Sequence, residues 1–138
     1  MMLQLHTGRV TNYSEGQTPL IYLVSNVQSV MDAKRKFVFS DGHGIAAYSS
    51  WYNSVTGLSK IDWDIVCRRY WQDIDSDPDR QRRKQAEFLV HRICSWELIE
   101  KIVVINKDIK IRVESIFERF DSQLHIPTEI KPEWYYYD

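Results

Sequence analysis

Four short apolar runs decide what this chain can become: Leu20-Ile21-Tyr22-Leu23-Val24, Phe37-Val38-Phe39, Phe88-Leu89-Val90 and Ile102-Val103-Val104-Ile105. They are brief and rich in β-branched and aromatic residues, the pattern of short buried strands. Helical periodicities lie among them. Ser25 or Asn26 can cap a short helix with Val27, Val30 and Met31 on one face. Ile45 to Tyr52 reads as a helix of small and aromatic residues. Ser59-x-x-Asp62 resembles a capping box, with Ile61, Ile65, Val66 and Tyr70 on a helix running to about Trp71. Ser95 can cap a short helix through Ile99. Lys107 to Phe120 is amphipathic, with Ile109, Val113, Ile116, Phe117 and Phe120 on one side. Pro127 to Asp138, interrupted by proline, reads as an irregular packed tail. The strands and helices mix without the strict alternation of a doubly wound sheet, so one α+β domain over residues 1–138 is expected.

A length of 138 residues is enough for one domain with its own core. The net charge is −1, so any attraction for a polyanion must be local. No run approaches the roughly 18 apolar residues of a membrane helix. The opening MMLQLHTGRV lacks the charged and apolar regions of a signal peptide, and a cytoplasmic location is expected. Cys67 and Cys94 form no C-x-x-C pair and are expected to be buried, reduced thiols. Aromatic residues reach 13%, five Trp and eight Tyr among them, which suits a binding surface as well as a core.

The chain contains no GxxxxGK[ST], GxGxxG, HExxH or G-x-S-x-G, and its four histidines show no metal-ligand spacing. What remains is the polar stretch Gln72–Lys84, broken by Pro78, and the run RRKQAEFLVHR that overlaps its end. From Asp79 to Arg92 five cations (Arg80, Arg82, Arg83, Lys84, Arg92) face two acids (Asp79, Glu87), a net +3. Such a patch attracts phosphate, and arginine grips it bidentately; a merely solvated charge run is the plain alternative. Glu87 alone reads as an exposed strand residue. At the junction of a basic loop and a buried strand it also reads as a rigidly placed carboxylate. His43, between Gly42 and Gly44, is a turn histidine or a group set close to a ligand.

Several segments, in order along the chain, carry a resemblance: Ile21-Tyr22-Leu23-Val24-Ser25, Phe37-x-Phe39-x-Asp41-Gly42-His43, Lys60-Ile61-Asp62-Trp63, Arg69-Tyr70-Trp71, Asp77-Pro78-Asp79-Arg80, Arg83 to His91, and Pro132-Glu133-Trp134-Tyr135-Tyr136. Together they resemble DarT, the DNA ADP-ribosyltransferase toxins of bacterial toxin–antitoxin pairs. The resemblance implies an ADP-ribosyltransferase-like split mixed β-sheet with flanking helices. It implies transfer of ADP-ribose from NAD to thymine or guanine in single-stranded DNA without a metal, and reversal by a DarG-type macrodomain antitoxin. Glu87 matches the family's catalytic glutamate, Gln72–Ala86 its substrate-recognition loop, and His43 an active-site element. Arg80, Arg82, Arg83 and Lys84 are then expected to hold the DNA backbone, with Tyr70 or Trp71 stacking a base. DarT proteins carry further N-terminal strands, a histidine that holds NAD and a catalytic arginine. MMLQLHTGRV is similar to the middle of a DarT, so an upstream segment is expected to complete the fold, with Arg9 the nearest candidate arginine in this chain. The alternative function is a truncated, inactive relative that binds DNA or a partner protein.

Overall fold

The structure, a computed structural model, describes residues 10–120 and 126–136. It divides into two compact units, Val30–Cys94 and the chain on either side of it. In order the elements are β1 (Tyr22–Val24), α1 (Val27–Asp32), β2 (Phe37–Ser40), β3 (Trp51–Tyr52), α2 (Trp63–Cys67), α3 (Arg80–Lys84), β4 (Phe88–Val90), β5 (Lys101–Val104), α4 (Lys107–Arg119) and β6 (Thr128–Ile130). Single 3-10 turns form at Val55–Lys60, Trp96–Leu98 and Pro132–Trp134. Among the described residues no helix is long and apolar enough to cross a membrane.

In the unit built from both chain ends, β5 is the central strand of a mixed sheet ordered β1-β5-β6. It runs antiparallel to β1, with Tyr22 opposite Val103, and parallel to β6, with Ile102 opposite Thr128. Ile102, Val103 and Val104 are at most 1% exposed, which is why this run carries no polar alternation. Asn106 caps α4, its Oδ1 accepting the Ile109 N–H at 3.0 Å. The helix lays Ile109 and Val113 against Ile102, Val104 and Ile126. Each such side chain contributes about 1.5–3 kcal/mol by leaving water.

The chain end is more ordered than its prolines suggest. Pro127 and Pro132 flank β6, where no ladder donor is lost. The Ile102 N–H donates to Pro127 and the Lys131 N–H to Val104, both at 2.9 Å. Tyr135 is 2% exposed, sits edge-on to Tyr22 with ring centroids 5.3 Å apart, and donates its hydroxyl to the Leu20 carbonyl at 2.8 Å.

In the Val30–Cys94 unit, β2 is central in an antiparallel sheet ordered β3-β2-β4. Phe37, Phe39, Tyr52 and Phe88 stack on one face, with Phe37 and Phe88 centroids 5.1 Å apart. The other face carries Val38, Leu89 and Trp51, all exposed. Three expectations fail here. Ile45–Tyr52 forms turns and then β3 instead of a helix. The Ser49 hydroxyl donates to the His43 carbonyl at 2.8 Å and Asp41 accepts the Ser50 N–H at 3.0 Å, local bonds that compete with helix formation. Asp62 itself, not Ser59, caps α2 by accepting the Ile65 N–H at 3.0 Å, and the helix ends at Cys67 because Arg68 turns to extended backbone. Cys67 and Cys94 are free but exposed, not buried.

Burial, and secondarily the nearby Tyr22, pushes the Tyr135 hydroxyl up to about 12. An acid whose folded pKa is raised stabilises the fold fully below its unfolded value of about 10 and loses that contribution as pH rises toward 12. Urea unfolding followed by tryptophan fluorescence should show this alkaline loss. Tyr135→Phe should cost about 1 kcal/mol at neutral pH and flatten the alkaline slope.

Candidate functional site

Glu87 sits immediately before β4, and Ser40 of β2 holds its backbone from both sides. The Ser40 N–H donates to the Glu87 carbonyl at 2.9 Å, and the Glu87 N–H donates to Ser40 Oγ at 3.2 Å. Ser40 is fully buried, and its hydroxyl donates onward to the Gly42 carbonyl at 2.6 Å. The carboxylate meanwhile is 42% exposed, with Oε1 3.9 Å from His43 Nδ1. That separation is too long for a hydrogen bond. His43 Nδ1 accepts the Ile45 N–H at 3.3 Å. Gly44 closes the same corner: a Cβ there would lie 2.8 Å from the Trp51 ring and 3.3 Å from Glu87 Oε2. Glu87, His43, Gly44 and Trp51 therefore cluster around a fixed, accessible carboxylate.

Arg82 ties this corner to α3. Its carbonyl accepts the His43 N–H at 2.8 Å, and a Cβ on Gly42 would stand 2.9 Å from that oxygen. Its guanidinium donates to both oxygens of Asp79, at 2.8 and 2.7 Å, to Asp41 at 3.0 Å and to Ser49 at 3.1 Å. It also lies 5.1 Å from the centre of the Tyr48 ring. Arg83 pairs with Asp62 and Asp77, and Arg80 with Asp77 at 3.1 Å. Lys84 donates to the carbonyls of Val66 and Arg68, and burial pulls its pKa down. The hydrogen bond from Arg83 holds the Asp77 carboxyl below its usual range, and that from Arg82 does the same for Asp79.

The four cations expected to grip DNA are thus engaged within the fold. Asp73, Asp75, Asp77 and Asp79 stand just before Arg80, Arg82, Arg83 and Lys84, and their charges cancel. Tyr70 is 85% exposed, while Trp71 is half-buried; both lie in the segment after α2. Arg9 lies outside the described residues. Ser40 and Trp51 were not singled out as site residues by the sequence; the period-two alternation of β2 and β3 was the available signal, and it was obscured for Trp51 by the helical reading of Ile45–Tyr52.

Because the carboxyls of Asp77 and Asp79 are depressed, the stability they lend is present above about pH 4 and lost as pH falls below it. Limited proteolysis of residues 72–79 should accelerate on acidification through that window. Arg82→Lys, which keeps the charge but loses the fork, should cost about 2 kcal/mol in denaturant unfolding and expose the same segment at neutral pH.

The chain is similar to known proteins along nearly its whole length. A family model described as DarT, ssDNA thymidine ADP-ribosyltransferase, matches residues 1–136. The chain is 37% identical over 136 residues to a DNA ADP-ribosyl transferase of Thermus aquaticus, covering 99% of this chain and 58% of that protein. It superposes with a TM-score of 0.92 and 32% identity on Thermus sp. 2.9 DarT in complex with ADP-ribosylated ssDNA, covering 98% of this chain and 63% of the other. The same relative in complex with NAD+ gives a TM-score of 0.92 at 32% identity, over 98% of this chain and 66% of that one. The chain therefore spans about three-fifths of the length of the relatives it matches. Ordered motif segments and a family match along nearly the whole sequence lead to one conclusion: the chain belongs to the DarT family.

Proposed function

We propose that the protein transfers ADP-ribose from NAD to a base of single-stranded DNA, with Glu87 as the catalytic carboxylate. The observation that carries this reading is the contrast at Glu87, whose backbone is locked to buried Ser40 while its carboxylate stays open to solvent. The T. aquaticus relative is named a DNA ADP-ribosyl transferase, and the Thermus sp. 2.9 relative was solved with NAD+ and with ADP-ribosylated ssDNA. The family description names thymidine, which makes thymine the proposed target base.

In this reading the bond between nicotinamide and the ribose C1′ breaks, and nicotinamide leaves with the bonding electrons. The sugar passes through an oxocarbenium-like state that a fixed carboxylate stabilises. A base nitrogen attacks C1′ and gives its proton to Glu87. Gly44, lacking a side chain, keeps steric bulk away from the carboxylate, and the Trp51 ring stands beside it. His43 acts as a positioning residue beside Glu87. Arg80, Arg82, Arg83 and Lys84 serve the DNA by holding the recognition loop in shape, and Tyr70 offers an exposed ring for a base. A protein with this activity, working on cytoplasmic DNA, is toxic to its own cell, and a DarG-type macrodomain antitoxin is the proposed counterpart.

Glu87→Gln keeps the size and the backbone anchor but removes the charge. It should lower transfer to a single-stranded oligonucleotide by about 100-fold or more, while binding the oligonucleotide within about twofold of the unaltered protein. Undiminished modification by that variant would remove Glu87 from the mechanism.

A further inference from the structure

We propose that the sheet face bearing Glu87 continues as a track for the phosphodiester backbone of single-stranded DNA, ending on Lys36, His91 and Arg92. The proposal deepens the function above and rests on its choice of single-stranded DNA as substrate. Side chains alternate along a strand, so Glu87, Leu89 and His91 share one face of β4, and Lys36, Val38 and Ser40 share the adjoining face of β2. The register agrees, with Val38 opposite Leu89. Four residues of extended chain separate Glu87 from His91, about 13 Å at roughly 3.3 Å per residue.

At the far end of this face an open groove of about 620 Å³ is lined by Lys36, Val38, Asn53, Leu89, His91 and Arg92. Its floor is apolar and accessible, with Val38 38% and Leu89 45% exposed. Its rim is cationic. The His91 N–H donates to the Lys36 carbonyl at 2.8 Å, which sets these two basic residues side by side. Lys34 and Arg35 immediately precede Lys36. Arg92 takes the left-handed backbone region at φ 65°, an uncommon conformation for arginine, as the chain leaves β4.

What selects the occupant is charge. Arg80, Arg82 and Arg83 all face carboxylates, and Lys84 is spent on carbonyls. Among the described residues, Lys34, Arg35, Lys36 and Arg92 form no ion pair with a carboxylate. An uncompensated cationic rim above an apolar floor, continuous with the Glu87 face, fits a strand of phosphates whose bases rest on Val38 and Leu89.

The test uses the whole chain without NAD, a fluorescent single-stranded DNA of about 12 nucleotides, and the double variant Lys36→Gln/Arg92→Asn. Asparagine tolerates the left-handed region, so the turn is kept. The double variant should bind about tenfold more weakly at roughly 0.1 M salt. Its plot of log affinity against log salt should be flatter by about 1.4, two contacts at about 0.7 each. Lys36→Arg should bind like the unaltered protein, and thermal unfolding should match for all three. Equal affinity and equal salt slope for the double variant and the unaltered protein would overturn the track, as would an unaltered protein without salt-dependent binding. If Glu87-dependent transfer occurs while the double variant binds normally, the track falls and the enzymatic reading stands. If transfer is absent but the binding difference appears, the reverse holds.

Discussion

One side chain holds the proposed site together. Arg82 engages Asp79 through both guanidinium edges, reaches Asp41 and Ser49, lies beside Tyr48, and offers its carbonyl to the His43 N–H. Those partners come from α3, from the end of β2 and from the turns that precede β3. An isolated surface ion pair is worth little, but a forked arginine with several fixed acceptors and modest exposure is a different object. Gly42 is required because any side chain there would occupy the space of Arg82. With that contact in place, His43 and Gly44 are delivered to Glu87, and Ser40 fixes the glutamate from the other side.

This arrangement changes what the cations before Glu87 do. A loop that met DNA with four mobile cations would lose much conformational freedom on binding. Here carboxylates and carbonyls have already ordered Arg80, Arg82, Arg83 and Lys84, so the loop is shaped before a substrate arrives. In the proposed function, electrostatic attraction for DNA comes instead from the other end of the Glu87 sheet face, where Lys36 and Arg92 pair with no carboxylate among the described residues.

The strands were legible in the sequence because each is a compact apolar run with strong β preference, and β5 in particular is buried on both faces. Asn26 was legible as one of two cap candidates because a short polar side chain precedes an apolar helical period, whereas the Asn106 cap appears only in the structure. Glu87 and His43 were proposed from local context and family resemblance, and the structure places His43 Nδ1 3.9 Å from the Glu87 carboxylate. The helix expected over Ile45–Tyr52 was lost to hydrogen bonds from the Ser49 hydroxyl and the Ser50 N–H to His43 and Asp41, six and nine positions earlier, and to the pairing of β3 with β2, partners outside a helical period. Tyr135 hid in a run of aromatics, where only tertiary structure tells a buried ring from an exposed one. In the basic loop the balancing aspartates, from Asp73 to Asp79, stand mostly ahead of the stretch Asp79–Arg92 that carries the net +3, so the local excess of cations disappears over the longer segment.

The central claim is that the segment before Glu87 is a preformed scaffold and not a loose phosphate grip. Amide hydrogen exchange of the protein without DNA measures this directly at the N–H groups of His43, Ala86 and Glu87, which donate to Arg82, Arg83 and Ser40. The account predicts slow exchange at all three, comparable to the amides of β2 and unchanged when an oligonucleotide is added. Rapid exchange typical of an open loop, slowed only on adding DNA, would contradict it.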